Sequence, residues 1–442
     1  MTPGRESSLG ARWDSAPAVL AAGLGLAMLP WLLGDPPRAG AALALLIVIV
    51  ALQLAEPQKV AAVALALGVG LSPMDALVPF AALPFFSVAD GLLVAGVLLL
   101  LPSWWGRWSR LDANLVVPAS GLVVVGALSA LLSPAPIAAL VSVASFVVGA
   151  FTLPVVYMLW APGRDGVVLL CWCYVLGNLV NVAAGAFQPA NEGGRWIGFS
   201  THVNVLGLCS MLAIAAALIL WHLQRTAYGV LALAAAGLCF VGVWMSGSRS
   251  ALVVTVVVVA LYPVLARSIV AALAVAAVAL PAAVAVVVLW SEGERSSDNA
   301  LGRLFGGGSA GGSDLERARV AREAWESFAQ HPWFGVGLTG EVEAHNIYLM
   351  VAASAGIAGL ALFVAVLLAV VRRGWRAPDQ RVLLLPALAY IVNGAVGTNL
   401  WDRYVWGLVP LIYLCALARR PASPSTLGAQ RSGVDRVSEK RP

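Results

Sequence analysis

Charge is scarce in this chain, and so are the side chains that most often bind metals or form cross-links. Only 11% of its 442 residues are Asp, Glu, Lys or Arg, whereas 60% are hydrophobic and the mean hydropathy is +0.88. That balance excludes a soluble fold of this length and describes a polytopic membrane protein. The four histidines, His202, His222, His331 and His345, have no HExxH or comparable ligand spacing and no Asp/Glu cluster beside them, so no metal or other cofactor is expected. The five cysteines, Cys171, Cys173, Cys209, Cys239 and Cys415, fall inside apolar runs. Cys-Trp-Cys on a helix points its two thiols apart, which favours packing over a disulfide framework or a zinc site. The net charge of +5 reflects topology and contact with anionic lipid, with no sign of nucleic-acid binding.

What the chain has in abundance is apolar runs of spanning length, roughly 17 to 25 residues each. They lie near 16 to 33, 38 to 55, 59 to 75, 86 to 102, 115 to 132, 138 to 160, 166 to 186 and 202 to 221. Others lie near 227 to 245, 250 to 266, 268 to 290, 347 to 371, 382 to 397 and 404 to 418. Pro79, Pro84 and Ser72-Pro-Met-Asp75 interrupt the early region, so an all-α protein of 12 to 14 transmembrane helices is expected. The first run, preceded by Arg5 and Arg12, reads as a retained span, since no small-residue cleavage site follows it. The expected organisation is a helix bundle over 1 to 290, a loop over 291 to 345, further spans over 346 to 418, and a disordered tail over 419 to 442.

Basic residues give the orientation. With the amino terminus in the cytoplasm, 18 of the 27 Lys and Arg residues fall on the cytoplasmic side, and five of the remaining nine belong to the long loop. Both termini are then cytoplasmic and the loop is on the outer face. Within it, Gly302-Arg-Leu-Phe-Gly-Gly-Gly-Ser-Ala-Gly-Gly312 reads as a flexible connector. Ser313 with Glu316 is a capping-box signature that predicts an amphipathic helix over about 314 to 329, with Ala318, Ala321, Trp325 and Phe328 as its apolar face. Arg319 with Glu323 and Arg322 with Glu326 are spaced to pair along it. Arg317, Arg319 and Arg322 suit either a helix resting on the membrane surface or a cover that guides an anionic head group.

Span parity brings the central constellation to one face. Arg195 and Arg249 emerge on the same side as His345, together with Asp402 and Arg403. An uncompensated charge at hydrocarbon depth costs about 2.5 to 3.5 kcal/mol on insertion scales, so a functional reason is the default. The structural alternative is snorkelling to the interface or bonding to a local carbonyl. His345, where the polar loop re-enters the bilayer, can move protons at neutral pH or serve as a helix-start residue.

Around these residues the chain resembles the O-antigen ligase and polymerase superfamily. The resemblance lies in Arg195-Trp-Ile-Gly-Phe-Ser-Thr-His-Val-Asn204, Ser246-Gly-Ser-Arg-Ser250, His331-Pro-Trp-Phe-Gly-Val-Gly337, His345-Asn-Ile-Tyr-Leu349 and Gly356-Ile-Ala-Gly359. It covers about residues 190 to 375, and Val203 stands where relatives often have Pro. The resemblance implies an enzyme of the bacterial inner membrane with its active site at the periplasmic face. Such an enzyme moves O-antigen glycan from undecaprenyl diphosphate to a sugar hydroxyl of lipid A core, inverting the anomeric centre without metal. It implies His345 as the base and Arg195 and Arg249 as diphosphate ligands, with Asn204, Asn346, Asp402, Arg403, Arg319 and Arg322 in support. O-antigen polymerase and protein O-oligosaccharyltransferase are alternatives within the superfamily. A secondary transporter or lipid flippase is the alternative from another class, but no clear internal repeat is seen and the charges collect at one face.

Overall fold

The computed structural model describes residues 57–78, 87–189, 194–277, 298–337, 344–400 and 402–415. The expected spans near 16 to 33 and 38 to 55, most of that near 268 to 290, and the tail from 419 lie outside these residues. Among the described residues all regular structure is helical. In chain order the helices are α1 (Pro57–Leu71), α2 (Val88–Leu100), α3 (Ala113–Leu131), α4 (Pro136–Trp160), α5 (Arg164–Phe187), α6 (Val203–Leu223), α7 (Ala227–Met245) and α8 (Arg249–Ala266). After them come the short α9 (Ala300–Leu304), α10 (Ala310–Gln330), α11 (Ile347–Trp375), α12 (Leu385–Asn393) and α13 (Arg403–Trp406). Seven of these, α3 to α8 and α11, are long and apolar enough to cross a membrane.

Helix α6 is apolar on every face, which only a fully enclosed position rewards. It is the centre of the bundle, 94% buried over its most apolar window and packed against α5, α7 and α8. Outer helices instead leave stripes uncovered: α3 exposes Val117, Val124, Leu128 and Leu131, one lipid-facing surface at helical spacing. Exposed aromatics gather at both ends of the spans, Trp105, Trp108 and Trp375 at one and Phe187, Trp333 and Phe334 at the other, as at a membrane's two interfaces.

The last two expected spans, 382 to 397 and 404 to 418, do not form as continuous helices. The chain runs instead through a 3-10 turn at Pro378–Leu384, α12, α13 and a second 3-10 turn at Leu411–Leu414. Gly394, Gly397 and Pro410 interrupt it. Broken backbone survives at membrane depth only where protein satisfies its polar groups. Here buried aromatic side chains do so: Trp406 Nε1 and Tyr390 OH donate to Leu400 O at 2.8 and 3.1 Å, Tyr174 OH to Tyr404 O at 3.0 Å, and Tyr157 OH to Gly407 O at 2.8 Å.

Helix α11 is bent at Gly356, whose φ of 68° and ψ of −169° are not helical. The bend frees two carbonyls and one amide, and the His331 to Gly337 segment takes all three. Val336 N donates to Ala353 O and Gly337 N to Ser354 O, both at 3.0 Å, and Ile357 N donates to Pro332 O at 2.8 Å. Ser129 of α3 adds a bond to Ser354 O at 2.6 Å. A Cβ on Gly356 would stand 2.1 Å from Trp333 O. Gly356→Ala therefore meets a left-handed φ and a backbone clash together, and a loss of about 3 kcal/mol or more is expected. Thermal unfolding of the purified protein in detergent checks this, and an unchanged midpoint would show that the bend is not needed for docking.

Candidate active site

The loop before α6 is set by a buried amide. Asn181 of α5 donates from Nδ2 to Pro73 O and to Ser200 Oγ, both at 2.9 Å, and its Oδ1 accepts from Phe199 N at 2.7 Å. Asp75 then takes Thr201 N and Oγ1 at 2.8 and 2.7 Å. His202 is the N-cap of α6, its Nδ1 accepting from Asn204 N at 3.1 Å. Asn204 accepts from Arg195 Nη2 at 2.9 Å, while Arg195 Nε donates to Ser246 O at 2.7 Å. The sequence places Arg195 and Asn204 nine residues apart, and the structure joins them directly.

Ser246, Gly247 and Ser248 form the tight turn between α7 and α8, and two arginines hold its adjacent carbonyls. Arg195 holds Ser246 O, and Arg303 holds Gly247 O from Nη1 at 2.9 Å. Gly247 has φ of +66°, and a Cβ there would stand 2.6 Å from Arg195 Nε and 2.4 Å from Asp298 O. Ser248 caps α8, so Arg249 is that helix's first residue. Arg249 forks onto both carboxylate oxygens of Asp314, with Nη1 to Oδ2 at 2.9 Å. Arg303, only 3% exposed, also donates from Nη2 to Ser313 Oγ at 2.9 Å, and its Nε stands 3.7 Å from Asp298.

Like charges crowd here. Burial pushes the Arg195 guanidinium down to about 10, helped by Arg303, Arg317 and Arg249 and opposed by Asp298. Burial and then Arg249 lower Arg303 and Arg317 as well. Arg195 stays protonated at neutral pH, and among the described residues the four cations face two carboxylates, Asp298 and Asp314. Such an array is short of negative charge and suits a multivalent anion.

Helix α10 carries this cluster towards His345. It begins at Ala310, four residues earlier than the capping box predicts, and its N-cap is Ser309. Ser313 instead donates to Ser309 O and accepts from Arg303. The earlier start goes with a different buried face: Ala310 and Ala324 are buried, while Ala318 and Trp325 are exposed. Arg319 pairs with Glu316 as well as the expected Glu323, whereas the expected Arg322 to Glu326 pair does not form. Both Arg319 and Arg322 are exposed; it is Arg317, half-buried, that joins the arginine cluster. The Glu316 carboxyl is held below its ordinary range by Arg319 first and by His345 among its other neighbours. The first turns of α10 thus join the arginine cluster through Asp314 and Arg317, while Glu316 lies within electrostatic range of His345.

His345 has a φ of +47°, a left-handed conformation uncommon outside glycine. Its neighbours fix it there. Asn346 Oδ1 caps α11 by accepting from Tyr348 N and Leu349 N at 3.0 and 3.1 Å, and Ile347 N donates to Gly394 O at 2.8 Å. Asp402 and Arg403 belong to an adjoining cluster. Arg403 Nε lies 3.3 Å from Asp90, and Asp402 is the N-cap of α13.

Sequence reading passed over Arg303 and Asp314 and treated Arg317 as one of three equivalent arginines. A signal for Arg317 exists: Ala310, Arg317 and Ala324 are seven apart, two helical turns, and share one face. Arg303 sits amid glycines, and nothing local marks it as buried. Arg303→Lys keeps the charge but cannot span Gly247 O and Ser313 Oγ, so a loss of about 2 kcal/mol in stability is expected. Chemical or thermal unfolding of the purified variant measures it, and parent-like stability would remove Arg303 from this role.

Residues 210–364 match the family model described as O-Antigen ligase. That stretch contains Arg249, Arg303, Asp314, Arg317 and His345, and Arg195 precedes it. Among curated proteins none matches the chain. The family match, over a region that holds most of the cluster, supports membership of the chain in the O-antigen ligase and polymerase superfamily.

Proposed function

We propose that this protein is an O-antigen ligase of the bacterial inner membrane. It transfers glycan from undecaprenyl diphosphate to a sugar hydroxyl of lipid A core at the periplasmic face, with inversion at the anomeric carbon. The observation that carries the reading is the gathering of Arg195, Arg249, Arg303 and Arg317 around one turn, with Glu316 of α10 within electrostatic range of His345.

The chemistry follows from the groups. A sugar hydroxyl is a weak nucleophile, and His345 accepts its proton as the oxygen attacks the anomeric carbon. The bond from that carbon to the diphosphate oxygen breaks on the opposite face, and charge grows on the leaving group. Arg195 and Arg249 meet it with forked N–H donors whose planar geometry matches phosphate oxygens. The left-handed backbone at His345, held by its neighbours, fixes where the imidazole's stem leaves the chain, a form of pre-organisation.

A backbone-matched test is available, because asparagine tolerates a left-handed φ. His345→Asn is expected to leave folding and donor binding intact while lowering transfer by about 100-fold or more. Near-parental transfer by purified His345→Asn would remove the base assignment. Arg195→Lys and Arg249→Lys are both expected to be strongly impaired, and a fully active variant returns that arginine to a structural role. Loss of glycan-bearing lipid A core, with lipid-linked polymer persisting, marks the ligase when the chain is removed from cells. Loss of polymer length marks a polymerase instead.

A further inference from the structure

Asp314 makes with Arg249 the same contact that the proposed reaction asks Arg249 to make with a phosphate. Both terminal nitrogens of the guanidinium meet both oxygens of the carboxylate, the two-bond fork that arginine forms equally with carboxylates and phosphates. The partners are not built alike. The Arg249 side chain is 15% exposed and starts a spanning helix, whereas the Asp314 side chain is 55% exposed and belongs to the loop. The cation is fixed in the scaffold, and the anion can return to water at small cost.

The second carboxylate of the array shows the contrast. Asp298 accepts from Ser309 N and Oγ at 2.9 and 3.0 Å and lies against Gly308, where a Cβ would stand 2.2 Å from its Oδ1. It closes a loop and has no freedom to leave. Asp314 holds Arg249 and follows Gly311 and Gly312, around which a Cβ would meet nothing within 4 Å. The Ser309 N-cap of α10 makes no side-chain capping bond. Besides the Asp298 contact to Ser309, the start of α10 is held by two further side-chain ties, Arg303 to Ser313 and Arg249 to Asp314, and of these the last engages a group the reaction would need.

We propose that Asp314 stands in for the donor's phosphate: its carboxylate occupies the Arg249 fork in the resting protein and is displaced by an arriving diphosphate, loosening the first turn of α10. This rests on Arg249 being a diphosphate ligand. Asp314 then sets donor affinity by internal competition, and it keeps the array from capturing other anions while no donor is bound.

Isothermal titration of the purified full chain in a neutral detergent with farnesyl diphosphate, a short polyprenyl diphosphate, tests this in a double-mutant cycle. Asp314→Asn is expected to bind about 10-fold tighter than the parent and Arg249→Gln about 10-fold weaker. The double variant is expected to match Arg249→Gln, because a competitor has no effect once its target is gone. Hydrogen exchange over residues 310 to 318 is expected to speed up when farnesyl diphosphate binds the parent, and to be fast in Asp314→Asn without it. Unchanged or weaker binding by Asp314→Asn, with Arg249→Gln still impaired, overturns the stand-in role alone. An equal gain from Asp314→Asn in both backgrounds reduces it to general electrostatics and overturns it too. If Arg249→Gln binds like the parent, the failure lies in the diphosphate assignment, and the stand-in falls with it.

Discussion

Two neighbouring carbonyls, those of Ser246 and Gly247, hold two arginines at the end of an apolar bundle, and the arrangement of the site follows from this. A guanidinium near hydrocarbon has to find acceptors, and each carbonyl of the turn supplies one at 2.7 and 2.9 Å. Arg195 brings the loop before α6 to the turn, and Arg303 brings the loop before α10. With the two loops joined there, Arg249 and Arg317 have no remote position available and the like charges crowd. Burial and then the crowding lower the proton affinity of Arg195, and among the described residues the array has more cations than carboxylates. The same backbone contacts that make the cations tolerable thus make them receptive to an anion.

The bundle supports this with little polar material, much of it satisfied by neighbouring elements. Asn181 organises the Arg195 loop from inside α5, and the aromatic hydroxyls and indole around Leu400, Tyr404 and Gly407 complete the broken stretch beyond α12. The bend in α11 gives its freed groups to the segment that ends just before the His345 region. In each case a departure from regular helix is matched by donors or acceptors from a neighbour, which is the condition for departing from it at membrane depth.

Much of this was legible in the sequence. The seven long spans follow from apolar runs whose ends the structure moves by only a few residues, because length and hydropathy are summed over many positions. Arg195 and Arg249 were visible as rare charges beside hydrocarbon, and span parity put them on one face. What could not be read was contact between segments distant in the chain. Arg303 looks like a loop arginine until the turn 56 residues before it is brought alongside. The stretches after 382 looked like two spans because their composition is apolar, but they are apolar from burial inside protein. The capping box at Ser313 failed because Arg303 takes that hydroxyl, a tertiary contact that overrides a local signal.

Gly247 carries no functional group, yet it lies between the Arg195 side chain and the Asp298 backbone with no room for even a methyl. A chain could keep every arginine, both carboxylates and the histidine and still lose their meeting point by one methyl group at this position. Whether a distant relative shares this protein's activity is therefore not settled by an inventory of its charged residues; the smallest residue in the turn has to be inspected as well.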